Sequence, residues 1–224
     1  KYPRLTSMGA FRTQCEWVEW WDKKDRTYLP EGTPNAYGGY YTKEDIREIL
    51  AHAEKLHIEV IPEIEFPAHS DEVFIGYPEL CCTGKPYTSG EFCAGNERTY
   101  TFMENVLTEI IDLFPSEYIH IGGDEARKIA WKTCSKCQTL MEKEGLKDLE
   151  AFLTSKGKRM IGWDEVLNNH LAPTSTIISY RGQETASEAA NRGYNVVFTP
   201  GAALYFDWYQ ATPETQPRAM IGYS

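Results

Sequence analysis

An α/β fold built on a parallel sheet is what the sequence predicts, and three observations carry it. A unit of helix, strand and polar loop recurs about five times along the 224 residues. No tight-turn hairpin signal separates one strand from the next, and strands alternating with helices imply parallel pairing. Acids, histidines and aromatic residues follow each strand, so the chemistry-bearing groups share one face. That is the layout of a (β/α)8 barrel of TIM type, whose site is built at the C-terminal ends of its strands. A doubly wound open sheet is the alternative, but no glycine-rich phosphate loop follows the first strand. About five strands are readable, so the barrel is partial or trimmed, and residues 1–224 are expected to form one domain.

Residues 1–40 are rich in Trp, Tyr, Gly and Pro and are expected to be a long loop region. Thr42 and Asp45 then have capping-box spacing. Ile46, Ile49, Leu50, Ala53 and Leu56 fall at helical intervals, which predicts an amphipathic helix over 43–56. Ile58–Ile64 is β-rich and predicts a strand ending in a polar cluster, Glu63, Glu65 and His69. A short loop carries Cys81, Cys82 and Cys93. Phe102, Val106, Ile110 and Leu113 mark a helix over 99–114, closed by Pro115. A short strand, Tyr118–Gly122, follows. Residues 133–156 have a helical pattern with a break at Gly145. Strands are predicted at Arg159–Trp163, Thr176–Tyr180 and Asn195–Phe198, with a helix over 183–192 between the last two.

Composition excludes several classes. A net charge of −10 and a pI near 5.1 disfavour nucleic acid, which needs a basic face. No apolar run of membrane-spanning length occurs, so no membrane partner is expected. The chain starts without an apolar signal segment, as a mature secreted chain would. The 6 Trp and 14 Tyr suit a sugar cleft, where apolar ring faces stack on aromatic planes, and equally a large core. Of the 6 cysteines, Cys134 and Cys137 have the C-x-x-C spacing of half a zinc site or a redox pair. No second such pair accompanies them, so a disulfide or buried thiols are expected, with no metal and no cofactor. The sequence leaves the oligomeric state open.

The most informative stretch is Tyr118–Ala126, Y-I-H-I-G-G-D-E-A. Adjacent acids at the end of a buried strand are costly to desolvate unless they bond to something or do chemistry. Consecutive side chains of extended backbone point opposite ways. Gly122-Gly123 is therefore expected to re-aim the chain so that Asp124 and Glu125 reach one pocket. The bland alternative is a turn with a solvated acidic pair.

His120-Ile121-Gly122-Gly123-Asp124-Glu125 resembles the catalytic signature of glycoside hydrolase family 20, the β-N-acetylhexosaminidases. Ile61–His69 resembles the family segment that usually ends Pro-Gly-His. Gly162-Trp163-Asp164-Glu165 resembles its next strand end. Ser179-Tyr180-Arg181-Gly182 resembles a stretch that normally has Trp in place of Tyr180. Tyr205-Phe206-Asp207 resembles its Tyr-x-Asp sugar motif. The resemblance implies exo-hydrolysis of terminal β-linked GlcNAc or GalNAc with retention, on a glycan or chitooligosaccharide. It also implies substrate assistance, in which the 2-acetamido oxygen replaces a protein nucleophile, an exception to the two-carboxylate scheme. Glu125 would be the general acid and then the base, a role that needs burial or a neighbouring charge. Asp124 would bond the acetamido N–H, and Tyr205 would donate to the acetamido oxygen. Trp163 and Tyr180 would wall the acetamido pocket, and Asp207 would bind sugar hydroxyls. His69 would stand near the acid, and Glu165 would line the pocket or form a structural salt bridge.

The family also uses an Arg from an earlier strand and a Trp near the last strand, and neither has a counterpart in this sequence. The connections over residues 82–93 and from Gly145 to Phe152 are shorter than the family pattern. A sugar-binding fragment without turnover is therefore the second expectation. A metal-dependent hydrolase using His120, Asp124 and Glu125 is the third. The substrate class implies an extracellular, periplasmic or other degradative setting.

Overall fold

The computed structural model describes residues 1–16, 19–20, 26–140, 145–168, 171–205, 209 and 211–216. The N-terminal region is more ordered than a loop. It contains a short helix α1 (Arg4–Ser7) and an antiparallel ribbon of β1 (Phe11–Thr13) with β2 (Ala36–Gly38). Those strands are three residues each, and the pairing spans more than twenty residues, so no local pattern announced it.

Helix α2 (Lys43–Lys55) starts where the capping box places it. The Thr42 hydroxyl accepts from Asp45 N, and the Asp45 carboxylate accepts from Thr42 N at 2.7 Å. A one-and-a-half-turn helix α3 (Asp71–Gly76) lies inside the segment expected to be a loop. It is too short to show a full helical period. Helix α4 (Glu97–Leu113) is capped by the Asn96 side chain accepting from Arg98 N, and ends just before Pro115. The region 133–156 holds α6 (Ser135–Leu140) and α7 (Gly145–Ser155), and a further short helix, α5 (Ile129–Thr133), precedes them. Helix α8 (Gln183–Asn191) and a short turn α9 (Gly201–Leu204) follow.

The main sheet holds β3 (Tyr118–His120), β4 (Arg159–Trp163), β5 (Thr176–Ser179) and β6 (Asn195–Phe198), neighbours in chain order and all parallel. Sequential neighbours joined by helices form an arc of the barrel layout. The predicted strand Ile58–Ile64 runs alongside β3 but is not a regular strand. Glu63 bridges His120 in the parallel sense, Ile64 N donates to His120 O, and His120 N donates to Pro62 O. Pro62 has no N–H to give, which interrupts the ladder.

The core lies between this sheet and α4 and α7. Ile119, Ile121, Met160 and Ile177 from the sheet pack with Leu107, Leu149 and Leu153 from the helices, and with Phe66, Phe92 and Phe102. The arc ends on exposed apolar residues: Ile58 and Ile61 beside β3, Val197 and Phe198 on β6. These residues lie on or beside the two edge strands of the arc formed by the described residues.

Candidate active site

The loops after β3, β4 and β5 and the segment after residue 64 meet at one end of the sheet. Directly after β3, Gly122 (φ +68°) and Gly123 (φ +101°) adopt backbone that side-chain-bearing residues rarely take. A Cβ on Gly122 would collide with the Glu65 carboxylate, and one on Gly123 with Val166 Cγ1. Glu125 itself has φ +51°, an unusual conformation for a non-glycine residue. The expected re-aiming of the chain is thus present.

Its result is convergence on one nitrogen. His69 Nε2 lies 3.2 Å from Asp124 Oδ2 and 3.3 Å from Glu125 Oε2. His69, expected only near the acid, touches both acids. The Asp124 side chain is 18% exposed and that of Glu125 64%. Asp124 Oδ1 is buried and has no hydrogen-bond partner among the described residues. The bond to Asp124 pushes His69 up to about 9, against its own desolvation, so it is an imidazolium at neutral pH.

Below this pair sits a third acid. Burial pushes Glu65 up to about 8, helped by the charges of Asp124 and Glu63. Its Oε2 is buried and unbonded among the described residues. Glu63 behaves oppositely: its bond to the His120 imidazole holds it below the usual carboxylate range. Its Oε1 lies 3.1 Å from His120 Nδ1 and accepts from Trp163 Nε1 at 2.9 Å. His120 Nδ1 faces Glu63 and the Gly122 N–H, and His120, Asp124 and Glu125 do not gather into a metal-holding group among the described residues.

The aromatic residues line up beside the acids. Trp163 meets Tyr180 edge-on at 5.6 Å, and Tyr180 stacks with Tyr205 at 6.5 Å and 8°. Tyr180 donates to Glu165 Oε1 at 2.7 Å, and its hydroxyl is raised by burial, by that bond and by the fields of Glu125 and Asp124. Glu165 keeps a buried, unbonded Oε2 among the described residues and is raised by desolvation. Its hydroxyl partner Tyr180 places it beside the aromatic residues, and no ion pair of Glu165 is found among the described residues. The ion pair belongs to its neighbour: Asp164 is fully buried and accepts from Arg181 Nε at 2.6 Å and from Ser179 Oγ. Asp207 lies outside the described residues.

The sequence profile of "Glycosyl hydrolase family 20, catalytic domain" matches residues 1–223. The chain belongs to glycosyl hydrolase family 20. It is 39% identical over 244 aligned positions to a β-hexosaminidase of Porphyromonas gingivalis, covering all of this chain and 29% of that protein. It is 35% identical to one of Vibrio furnissii, covering 96% of this chain and 37% of the relative. The chain therefore spans about a third of the relatives it matches. Among solved structures it resembles a family 20 exo-β-N-acetylglucosaminidase of Vibrio harveyi in complex with N-acetylglucosamine. The TM-score is 0.76 at 30% identity, over 93% of this chain and 35% of that one. A mutant Streptomyces plicatus β-hexosaminidase in complex with product GlcNAc gives 0.71 at 26%. The parallel arc is thus part of a TIM-type glycosidase barrel.

Two acids beside this candidate site are not among the site residues the sequence predicts: Glu63 and Glu65. The signal is in the sequence: acids two apart on an extended segment point the same way, and Glu63 and Glu65 flank Ile64 in the polar cluster at the end of the predicted strand.

Proposed function

We propose that the chain carries the acid–base machinery for retaining hydrolysis of terminal β-linked N-acetylhexosamine, with the substrate's own acetamido group as nucleophile. The observation that carries this reading is the division of labour at Asp124. His69 holds one carboxylate oxygen, while the other is buried without a partner among the described residues. A buried acceptor without a partner is costly, and an acetamido N–H would satisfy it. The names of the family 20 relatives support the substrate class.

In this mechanism Glu125 protonates the glycosidic oxygen as the acetamido oxygen attacks C1. The C1–O bond breaks, and the oxazolinium ring carries the positive charge. Asp124 orients the N–H and stabilises that charge. Glu125, now a carboxylate, removes a proton from the water that opens the ring, which restores the acid. Glu125 is largely exposed here, so the bound sugar supplies the desolvation its role needs. Tyr205 donates to the acetamido oxygen, and Trp163 and Tyr180 wall its methyl group. Asp207 binds ring hydroxyls.

The test is a pair of substitutions read on two substrates. Glu125→Gln is expected to cut kcat on a 4-nitrophenyl β-N-acetylglucosaminide by about 10²–10⁴-fold with little change in KM. Asp124→Asn is expected to cost far more on that substrate than on the plain β-glucoside. A near-normal rate for Glu125→Gln would remove it from the acid role, and equal losses for Asp124→Asn on both substrates would contradict substrate assistance. Sugar binding by the unaltered protein without any turnover would favour the binding-only alternative.

A further inference from the structure

All six cysteines are free thiols in the structure, and four of them gather in one place. Cys82 and Cys93 come from the loop after α3, and Cys134 and Cys137 from the α5–α6 junction. Their sulfurs all lie within 4.8 Å of one another. Cys82 Sγ is 3.5 Å from Cys137 Sγ, Cys93 Sγ is 3.5 Å from Cys137 Sγ, and Cys93 Sγ is 3.8 Å from Cys134 Sγ. Four sulfurs bound to one tetrahedral zinc at about 2.3 Å would stand about 3.8 Å apart along each edge. A disulfide would place a pair at about 2.05 Å. The other two thiols have separate surroundings: Cys81 donates to Pro78 O and Lys85 O, and Cys15 lies beside Arg12.

Two further features fit a closed metal centre. Cys93 and Cys137 are buried, with Cys82 and Cys134 partly so, which excludes water from most of the centre. Gly95 N–H donates to Cys137 Sγ at 3.3 Å, a bond that stabilises a thiolate. A Cβ on Gly95 would collide with the peptide joining Lys136 and Cys137, so the two cysteine-bearing turns meet backbone to backbone.

We propose that Cys82, Cys93, Cys134 and Cys137 bind a single structural zinc-class ion that clips the loop after α3 to the segment following Asp124 and Glu125. Each thiol releases its proton and binds as thiolate, and four soft, closed-shell ligands select zinc over hard cations. An iron–sulfur cluster would spread its cysteines over several irons and set them further apart. The clip bears on the site. Lys128 N donates to Glu91 Oε1 at 2.9 Å, Trp131 Nε1 to Phe92 O, and Phe92 N to Pro67 O. Those bonds join the stretch after Glu125, through the cysteine loop, to the stretch before His69.

The test is made on the untagged full-length protein, purified anaerobically from zinc-supplemented medium without chelator. Elemental analysis is expected to give one zinc per chain, lost in Cys137→Ser and Cys93→Ser and kept in Cys81→Ser. Cobalt loaded in place of zinc is expected to show thiolate charge-transfer bands and the visible bands of a tetrahedral site. Chelation is expected to lower Tm by on the order of 10 °C. The cobalt spectrum and zinc content of the unaltered protein stand even where a variant fails to fold. Substoichiometric zinc overturns the proposal, whether thiol counting in denaturant then finds all the cysteines free or two disulfides in place of the cluster.

Discussion

His69 holds Asp124 and Glu125 through one nitrogen, so the protonation of that ring sets the spacing of both acids. Its pKa is raised from 6.5 to about 9, by the Asp124 bond first. A group raised on folding contributes stability that is full below its unfolded value and is lost as pH climbs through its folded value. The contribution of His69 is therefore lost between about 6.5 and 9. Glu65 is raised from 4.5 to about 8, chiefly by burial, so it too favours the folded state at low pH, and its share is lost between those values. Both slopes run the same way. Thermal stability is expected to fall from pH 5 to pH 9, and Glu65→Gln is expected to flatten the lower half of that fall while raising Tm at pH 8. His69→Gln is expected to flatten the upper half. A stability profile unchanged by either substitution would remove these groups from the account. The sequence names His69 and both acids and places His69 near the acid, without showing that it touches both carboxylates. Its direct contact depends on its own φ of +49°, which no spacing rule reveals.

At the scale of elements, the turn after β3 is where sequence and geometry agree most closely. Gly122-Gly123 reads as a strand break, and both glycines sit at positive φ beneath neighbouring side chains. Gly122→Ala is expected to cost about 1–2 kcal/mol from backbone conformation alone, with a further loss from displacing Glu65. Gly157→Ala, at φ +70° with open space around it, pays the first cost only. Comparing the two by denaturant unfolding separates crowding from conformation, and only Gly122→Ala is expected to impair turnover. Equal effects on stability and activity would contradict the crowding. The longer helices and β4, β5 and β6 were legible because capping residues and period fix them locally. The β1–β2 ribbon, the six-residue α3 and the irregular segment before Glu63 were not. Each depends on partners distant in sequence or on a missing Pro62 donor.

At the scale of the molecule, acids from one irregular segment and from the turns after β3 and β4 meet at one end of a parallel arc. Cys134-x-x-Cys137 looked isolated for the same reason that α3 was missed. Its partners Cys82 and Cys93 arrive from a loop folded against it, not from a second motif. The arc belongs to a family 20 barrel, and the acids and aromatic residues gather at the C-terminal ends of its strands. The most direct measurement of the central claim is release of 4-nitrophenol from its β-N-acetylglucosaminide by the full-length protein, with and without a GlcNAc-thiazoline that mimics the oxazolinium ring. Acetamido assistance at Asp124 and Glu125 predicts turnover that the thiazoline blocks competitively, and weakened inhibition in Asp124→Asn. Turnover indifferent to the thiazoline, or equal on substrates without the acetamido group, would contradict it.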